Sequence, residues 1–170
     1  NEKCSKLDGS TNWLTLKVTD YDAFELEPMD LSIYEGISGL SIALCEVYDL
    51  VNSERQEKIY NCIHRIFLTL SNSYDSVQNQ SYYVGKLGIL SALKRIQLIT
   101  GQKISKSILD RNKDYSLDLN VSSADFLSSF PNEIVALYRS DLSIKNLRQA
   151  LDKLIDLKLS LIHISEPTRL

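Results

Sequence analysis

A cysteine and a histidine two residues apart, Cys62 and His64, are the side chains that most suggest metal or thiolate chemistry. Either could offer a donor to zinc. Their spacing argues otherwise, because residues two apart on a helix project about 200° away from each other. Together they cannot grip one ion. Cys45 and Cys62 fall at apolar positions of two helical patterns, where cysteine usually behaves as a small core residue. Cys4 lies in a segment, residues 1–12, expected to fray. Three cysteines at unrelated spacings do not make a disulfide framework and fit a reducing, cytoplasmic setting. His64 is expected at a surface or boundary. No residue is assigned as a metal ligand, and none as a cofactor ligand.

The elements that would position these groups follow from periodicity. Leu14, Leu16 and Val18 alternate with Thr15, Lys17 and Thr19, a period of two that predicts a strand. Asp20, Tyr21 and Asp22 supply turn chemistry, Phe24 and Leu26 resume the alternation, and Pro28 ends it, so residues 13–29 read as a β-hairpin. From Tyr34 the period becomes helical and runs to about Leu50. Ser53 with Gln56 is a capping-box signature for a second helix carrying Ile59, Cys62, Ile63, Ile66, Phe67 and Leu70 on one face. After a polar break at 71–81, a third runs from near Gly85 to a glycine cap at Gly101. Weaker helices are expected over 104–110, up to about Tyr138, and from a Ser143 cap onward.

A degenerate repeat carries most of the information. Gly36-x-x-Gly39-x-x-x-Ala43-Leu44 recurs 49 residues later (36 to 85) as Gly85-x-x-Gly88-x-x-x-Ala92-Leu93. Four of the six glycines sit in these two motifs, so coincidence explains them poorly. A worn third copy, Ser129-x-x-Asn132-x-x-x-Ala136-Leu137, keeps the alanine and leucine. An aromatic residue precedes each: Tyr34, Tyr83 and Phe126. Glycine in a first helical turn lets another backbone approach, so Gly36, Gly39, Gly85 and Gly88 read as packing residues. A period near 49 is too long for the 34-residue tetratricopeptide unit. It suits helical hairpins stacked in an α/α toroid or solenoid.

With these motifs in place, the sequence resembles the opening of a LanC-like cyclase domain, as it occurs in class II lanthipeptide synthetases of the LanM type. The resemblance rests on Trp13-Leu14-Thr15-Leu16, Leu26-Glu27-Pro28-Met29 and Ile33-Tyr34-Glu35-Gly36-Ile37-Ser38-Gly39. It continues with Tyr83-Val84-Gly85-Lys86-Leu87-Gly88 and Asp125-Phe126-Leu127-Ser128-Ser129. It implies a mainly α fold: a partial α/α toroid over 30–158, preceded by the short β-hairpin. For the intact parent it implies a zinc ion held by two cysteines and a histidine. That metal activates a cysteine thiol of a precursor peptide for addition to dehydroalanine or dehydrobutyrine. A kinase-like domain using ATP and magnesium would prepare the acceptor. The family's Cys-Tyr-Gly and Cys-His-Gly motifs do not occur here. Asp125 matches a family aspartate implicated in proton handling; against this stands the commoner reading, that it caps the following helix. Pro131 and Asn132 depart from the family pattern beside it.

The remaining expectations concern boundaries and partners. With 170 residues, 44% hydrophobic and 24% charged, the chain has globular usage and room for one domain. Nineteen Lys and Arg against 22 Asp and Glu give a net charge of −3 and no basic footprint for nucleic acid. No apolar run approaches the ~20 residues of a membrane-spanning helix. The chain begins at Asn1 and holds one methionine, Met29, which suggests a cut inside a longer frame. Residues 159–169, Leu-Ser-Leu-Ile-His-Ile-Ser-Glu-Pro-Thr-Arg, resemble a translated sequencing-library adapter; the alternative is a short amphipathic tail. His163 is set aside with this tail, 159–170. The expected reading is the front half of a lanthionine synthetase cyclase domain, inactive and zinc-free by itself. A different α/α toroid enzyme, of glycosidase or terpenoid-cyclase type, or a peptide-binding helical scaffold stands as the alternative. The glycosidase reading needs paired carboxylates, and none stand out.

Overall fold

A computed structural model describes residues 4–5, 9–18, 23–112, 114–115, 117, 133–134, 138, 143–144 and 147–156. The hairpin forms as its alternation predicts. β3 (Leu14–Val18) pairs antiparallel with β4 (Phe24–Pro28), with Leu16 opposite Leu26 and Val18 opposite Phe24. Its apolar stripe is not covered: Leu16, Val18, Phe24 and Leu26 are each more than 60% exposed. The base of the hairpin is tied down. Met29 N donates to Trp13 O at 2.6 Å, and both side chains pack against the core.

Ahead of the hairpin, β1 (Cys4–Ser5) pairs antiparallel with β2 (Thr11–Asn12), a ladder that the expectation of a frayed start did not include. Thr11 is fully buried because it docks on the second helix. Its N–H donates to Thr69 Oγ1 at 3.0 Å and its carbonyl accepts from the same hydroxyl at 2.7 Å.

Three helices make the core. α1 (Ile37–Val47), α2 (Ser53–Ser73) and α3 (Lys86–Thr100) each pack against the other two. Ile37 and Cys45 of α1 meet Ile63, Ile66, Phe67 and Leu70 of α2 and Ile89, Leu90, Leu93 and Ile96 of α3 in one apolar cluster. The three- and four-residue spacings put each set on a single face. The cap of α2 lies one residue earlier than the sequence pattern suggests. Asn52 accepts from Arg55 N at 3.1 Å, while Gln56 Nε2 donates to Tyr48 O at 3.1 Å. Asparagine competes well for this position, so the nearby serine was displaced. α2 also extends into the expected polar break as far as Ser73, followed by a 3-10 turn at Tyr74–Ser76. α3 ends at Gly101, whose φ of 71° is the left-handed value glycine adopts freely.

Beyond this core, α4 (Lys106–Arg111) is capped by Ser105 and pinned by Asn112. The buried amide of Asn112 donates to Tyr74 Oη at 2.8 Å and to Ile108 O at 2.7 Å. Ser143 is not a helix cap. β6 (Ser143–Ile144) pairs in parallel with β5 (Asp114–Tyr115), and α5 starts later, at Leu147–Asp156. The expected third repeat, including Asp125, Phe126, Ser129, Asn132, Ala136 and Leu137, lies outside the described residues.

Candidate functional site

Both glycine motifs sit where a loop folds back onto the first turn of a helix. Ahead of α1, Asp30 Oδ1 accepts from Ser32 N at 2.5 Å and Asp30 O accepts from Ile37 N at 2.8 Å. Ahead of α3, Asn79 Oδ1 accepts from Ser81 N at 2.7 Å and Asn79 O accepts from Lys86 N at 2.9 Å. Short Asp and Asn side chains favour such turns because they reach the backbone two residues on. A β-carbon on Gly39 would stand 2.1 Å from Ile33 O, and one on Gly88 would stand 2.0 Å from Tyr82 O. The glycines are therefore packing residues, as expected. The loops also bind each other, since Ile33 N and Tyr34 N both donate to Tyr83 O, at 2.9 and 3.1 Å.

These contacts set α1 and α3 side by side and leave a cleft of about 370 Å³ between them. Ile42 and Glu46 line it from α1, and Ser91, Lys94, Arg95 and Leu98 from α3, with Tyr82 from the loop. Arg95 Nη2 donates to Glu46 Oε1 at 2.8 Å, both side chains being roughly half exposed (42% and 59%). Arg95 Nε is buried and has no acceptor among the described residues. The cleft was not singled out in the sequence. Its signal was available, because Glu46 and Arg95 are equivalent positions of the two repeats, 49 residues apart.

The sulfur and imidazole groups do not converge. Cys45 is buried in the core, where desolvation raises its thiol to about 11, partly opposed by the positive charge of Arg95. Such a thiol is a poor nucleophile and a poor metal ligand. Cys62 is half-buried against the core, and His64 is half-buried with its ring stacked on Tyr60 at a 6.2 Å centroid distance. No group of three His, Cys, Asp or Glu side chains among the described residues could hold a metal ion. Nor is any described helix long and apolar enough to cross a membrane.

Comparison with known proteins places this arrangement. A family model described as "Lanthionine synthetase C-like protein" matches residues 27–169, most of the chain. The chain is also 32% identical over 103 residues to the "Lacticin 481/lactococcin biosynthesis protein LcnDR2" of Lactococcus lactis subsp. lactis. That alignment takes in 60% of this chain and 11% of the relative, so the chain spans only a small part of that protein's length. No solved structure matches. The paired glycine loops and the three-helix core fall inside the family match, and the chain belongs to the lanthionine synthetase C-like family, whose α/α toroid the described helices represent in part.

Proposed function

We propose that this chain is the front part of the cyclase domain of a lanthipeptide synthetase. In the intact domain a cysteine thiol of a precursor peptide adds to the β-carbon of dehydroalanine or dehydrobutyrine. A carbon–sulfur bond forms, the proton released by sulfur balances the one taken up at the α-carbon, and a thioether ring results. The observation that carries this reading is the family match across both glycine-loop repeats. The lacticin biosynthesis relative supports a peptide substrate. The part played by the two glycine loops is structural. The Asp30 and Asn79 loops hold α1 and α3 in register as two neighbouring staves of the ring wall.

The described side chains do not fit a zinc site: Cys62 and His64 diverge on one helix, and Cys45 is buried. No step is assigned to a metal here. In this reading zinc, and the ATP and magnesium used to make the dehydroamino acids, belong to the larger synthetase. The 170-residue chain alone is expected to form no rings and to hold no stoichiometric zinc. Mass spectrometry of a dehydrated, cysteine-containing peptide after thiol alkylation tests the first point, and metal analysis tests the second. Ring formation by the longer synthetase, with none by this chain, supports the proposal; one tightly bound zinc per chain overturns the assignment of its ligands elsewhere. Asp125 has its own test in the longer enzyme. Asparagine caps helices as well as aspartate does, so Asp125→Asn with intact stability and lost ring formation identifies a proton-handling role.

A further inference from the structure

We propose that the apolar face of the β3–β4 hairpin is a docking surface for the part of the longer synthetase that precedes it, which makes the hairpin a joint between two units of one polypeptide. The register puts Leu14, Leu16 and Val18 on the same face as Pro28, Leu26 and Phe24. Thr15, Lys17, Glu25 and Glu27 occupy the other face, where Lys17 Nζ donates to Glu27 Oε2 at 3.2 Å. Burial is inverted across the hairpin: Thr15 and Glu27 on the polar face are half-buried, while all six apolar residues are exposed. The inversion is built in at the base. Met29 N donates to Trp13 O at 2.6 Å, Asn12 Nδ2 donates to Met29 O at 3.0 Å, and the Trp13 and Met29 side chains pack against the core. With a period of two, anchoring Trp13 and Met29 inward sends Leu14 and Pro28 outward, and every second residue with them.

What covers this face follows from its size and its place. A two-stranded hairpin is marginal alone and gains most by burying its apolar side. The exposed side chains present on the order of 500 Å² of apolar surface, a patch size that in soluble proteins marks an interaction site. A second copy of the chain is a poor occupant, because a stable dimer needs about 800 Å² from each partner. A tethered unit needs less, since the tether holds it at an effective concentration in the millimolar range. The helical ring is a poor occupant as well. The family match starts at residue 27, so β3 and most of β4 stand outside what lanthionine synthetase C-like proteins have in common. A face covered by the ring's own helices would be shared along with them. The alignment to the lacticin relative takes in 11% of that protein, which leaves ample chain for another unit. The occupant is therefore the unit ahead of the hairpin, presenting an apolar patch of similar area. The existence of that unit rests on the proposed function; the outward face rests on Trp13, Met29 and the register.

The test is made in the longer synthetase, with the 170-residue chain beside it. The thiol of Leu16→Cys is expected to react with a maleimide about tenfold more slowly in the synthetase than in the chain, because docking must open before the thiol is reached. Peptide mass spectrometry reads the labelling site by site. Lys17→Cys, on the opposite face, is expected to react alike in both proteins. A photo-crosslinking benzoylphenylalanine in place of Phe24 then names the occupant. Crosslinks to residues ahead of Asn1 support the proposal. Crosslinks within this chain, to residues after it or to a second copy each overturn it, as does equal labelling of Leu16→Cys in the two proteins or equal slowing of Lys17→Cys. Phe24 is 68% exposed, so Phe24→Asp is expected to leave the unfolding temperature of the chain unchanged. In the synthetase the same substitution is expected to abolish the protection of Leu16→Cys, and protection that survives it overturns the proposal. A synthetase that docks its hairpin but forms no rings removes the proposed function and leaves this inference standing. Ring formation with an unprotected hairpin does the reverse.

Discussion

In the loop before α1, Asp30 closes a turn onto Ser32 N and receives Ile37 N on its carbonyl; in the loop before α3, Asn79 does both for Ser81 and Lys86. The four hydrogen bonds superimpose at an offset of 49 residues (30 to 79). The helices that follow do not. Ala43 of α1 is exposed, whereas its counterpart Ala92 of α3 is fully buried. Cys45 is buried, and its counterpart Lys94 lines the open cleft. Backbone geometry is thus held constant between the repeats while side chains answer to different neighbours. A repeat protein of this kind keeps its loops to preserve the curve, and varies its helix faces to build cores and clefts.

The sharpest way to break this equivalence is to fill the glycine contacts. Gly88→Ala would place a β-carbon 2.0 Å from Tyr82 O and 3.1 Å from Ile33 Cδ1, and Gly39→Ala one 2.1 Å from Ile33 O. Each obstacle is backbone, which cannot swing aside. Both are expected to cost about 3 kcal/mol or more, Gly88→Ala the more because it also meets the Ile33 side chain. Gly101→Ala meets nothing within 4 Å and suffers only its φ of 71°, so about 1 kcal/mol is expected. Urea unfolding of the three variants gives the order. A harmless Gly88→Ala beside a damaging Gly39→Ala would show that the two loops are not one structure.

The second contrast is between Cys45 and Lys94, and pH reads it. The folded Cys45 thiol lies at about 11, above its ordinary 9.0. Its contribution to stability is therefore complete below pH 9 and is lost as pH rises through 11. Tyr74 is likewise raised by burial, opposed by its hydrogen bond from Asn112, and adds to the alkaline loss above its ordinary 10.0. Cys45→Ala is expected to flatten the fall in stability between pH 9 and 11 without abolishing it. Removing the buried sulfur is also expected to cost about 1–2 kcal/mol at neutral pH, as for other small core truncations. An unchanged alkaline slope would place the Cys45 thiol in water.

Smaller effects are expected at the turn-closing side chains. Asp30→Ala and Asn79→Ala each remove one acceptor from a backbone N–H, at a cost of about 1 kcal/mol. Asp30→Asn and Asn79→Asp preserve the acceptor oxygen and are expected to fall within about 0.5 kcal/mol of the parent. Thermal unfolding of the four variants checks this. A large effect at Asp30 alone would mean that its charge, rather than its turn, holds the loop.

The same comparison explains what could be read in advance. The hairpin, the three core helices and the glycine cap at Gly101 were legible because each is written locally, in a period of two, a period near 3.6, or one residue of special φ. The fold class followed from the repeat. The Asp30 and Asn79 turns were missed although they obey the repeat, since Asp and Asn are not identical letters and the motif was anchored on glycine. The cap of α2 slipped by one residue because Asn52 and Ser53 are both good caps and only the backbone bond to Arg55 N decides between them. Ser143 was misread because its partner strand, Asp114–Tyr115, is distant in sequence. The cleft was missed for a related reason. Glu46 and Arg95 look like ordinary surface charges until two helices are known to be neighbours.

That pair gives the smallest and most diagnostic effect. Both side chains are roughly half exposed, so the ion pair itself is expected to contribute less than about 1 kcal/mol. Glu46→Gln and Arg95→Gln, with the double variant, form a cycle in which only the coupling between the two positions survives. A coupling of a few tenths of a kcal/mol, shrinking in 1 M salt, is the expected result, since screening reaches exposed pairs. It would show that the pair adds little to the fold and that nothing in stability requires opposite charges at these equivalent positions. Their presence would then have to be explained by what the cleft admits. A coupling above about 2 kcal/mol that ignores salt would instead make Glu46 and Arg95 a fixed strut between the repeats.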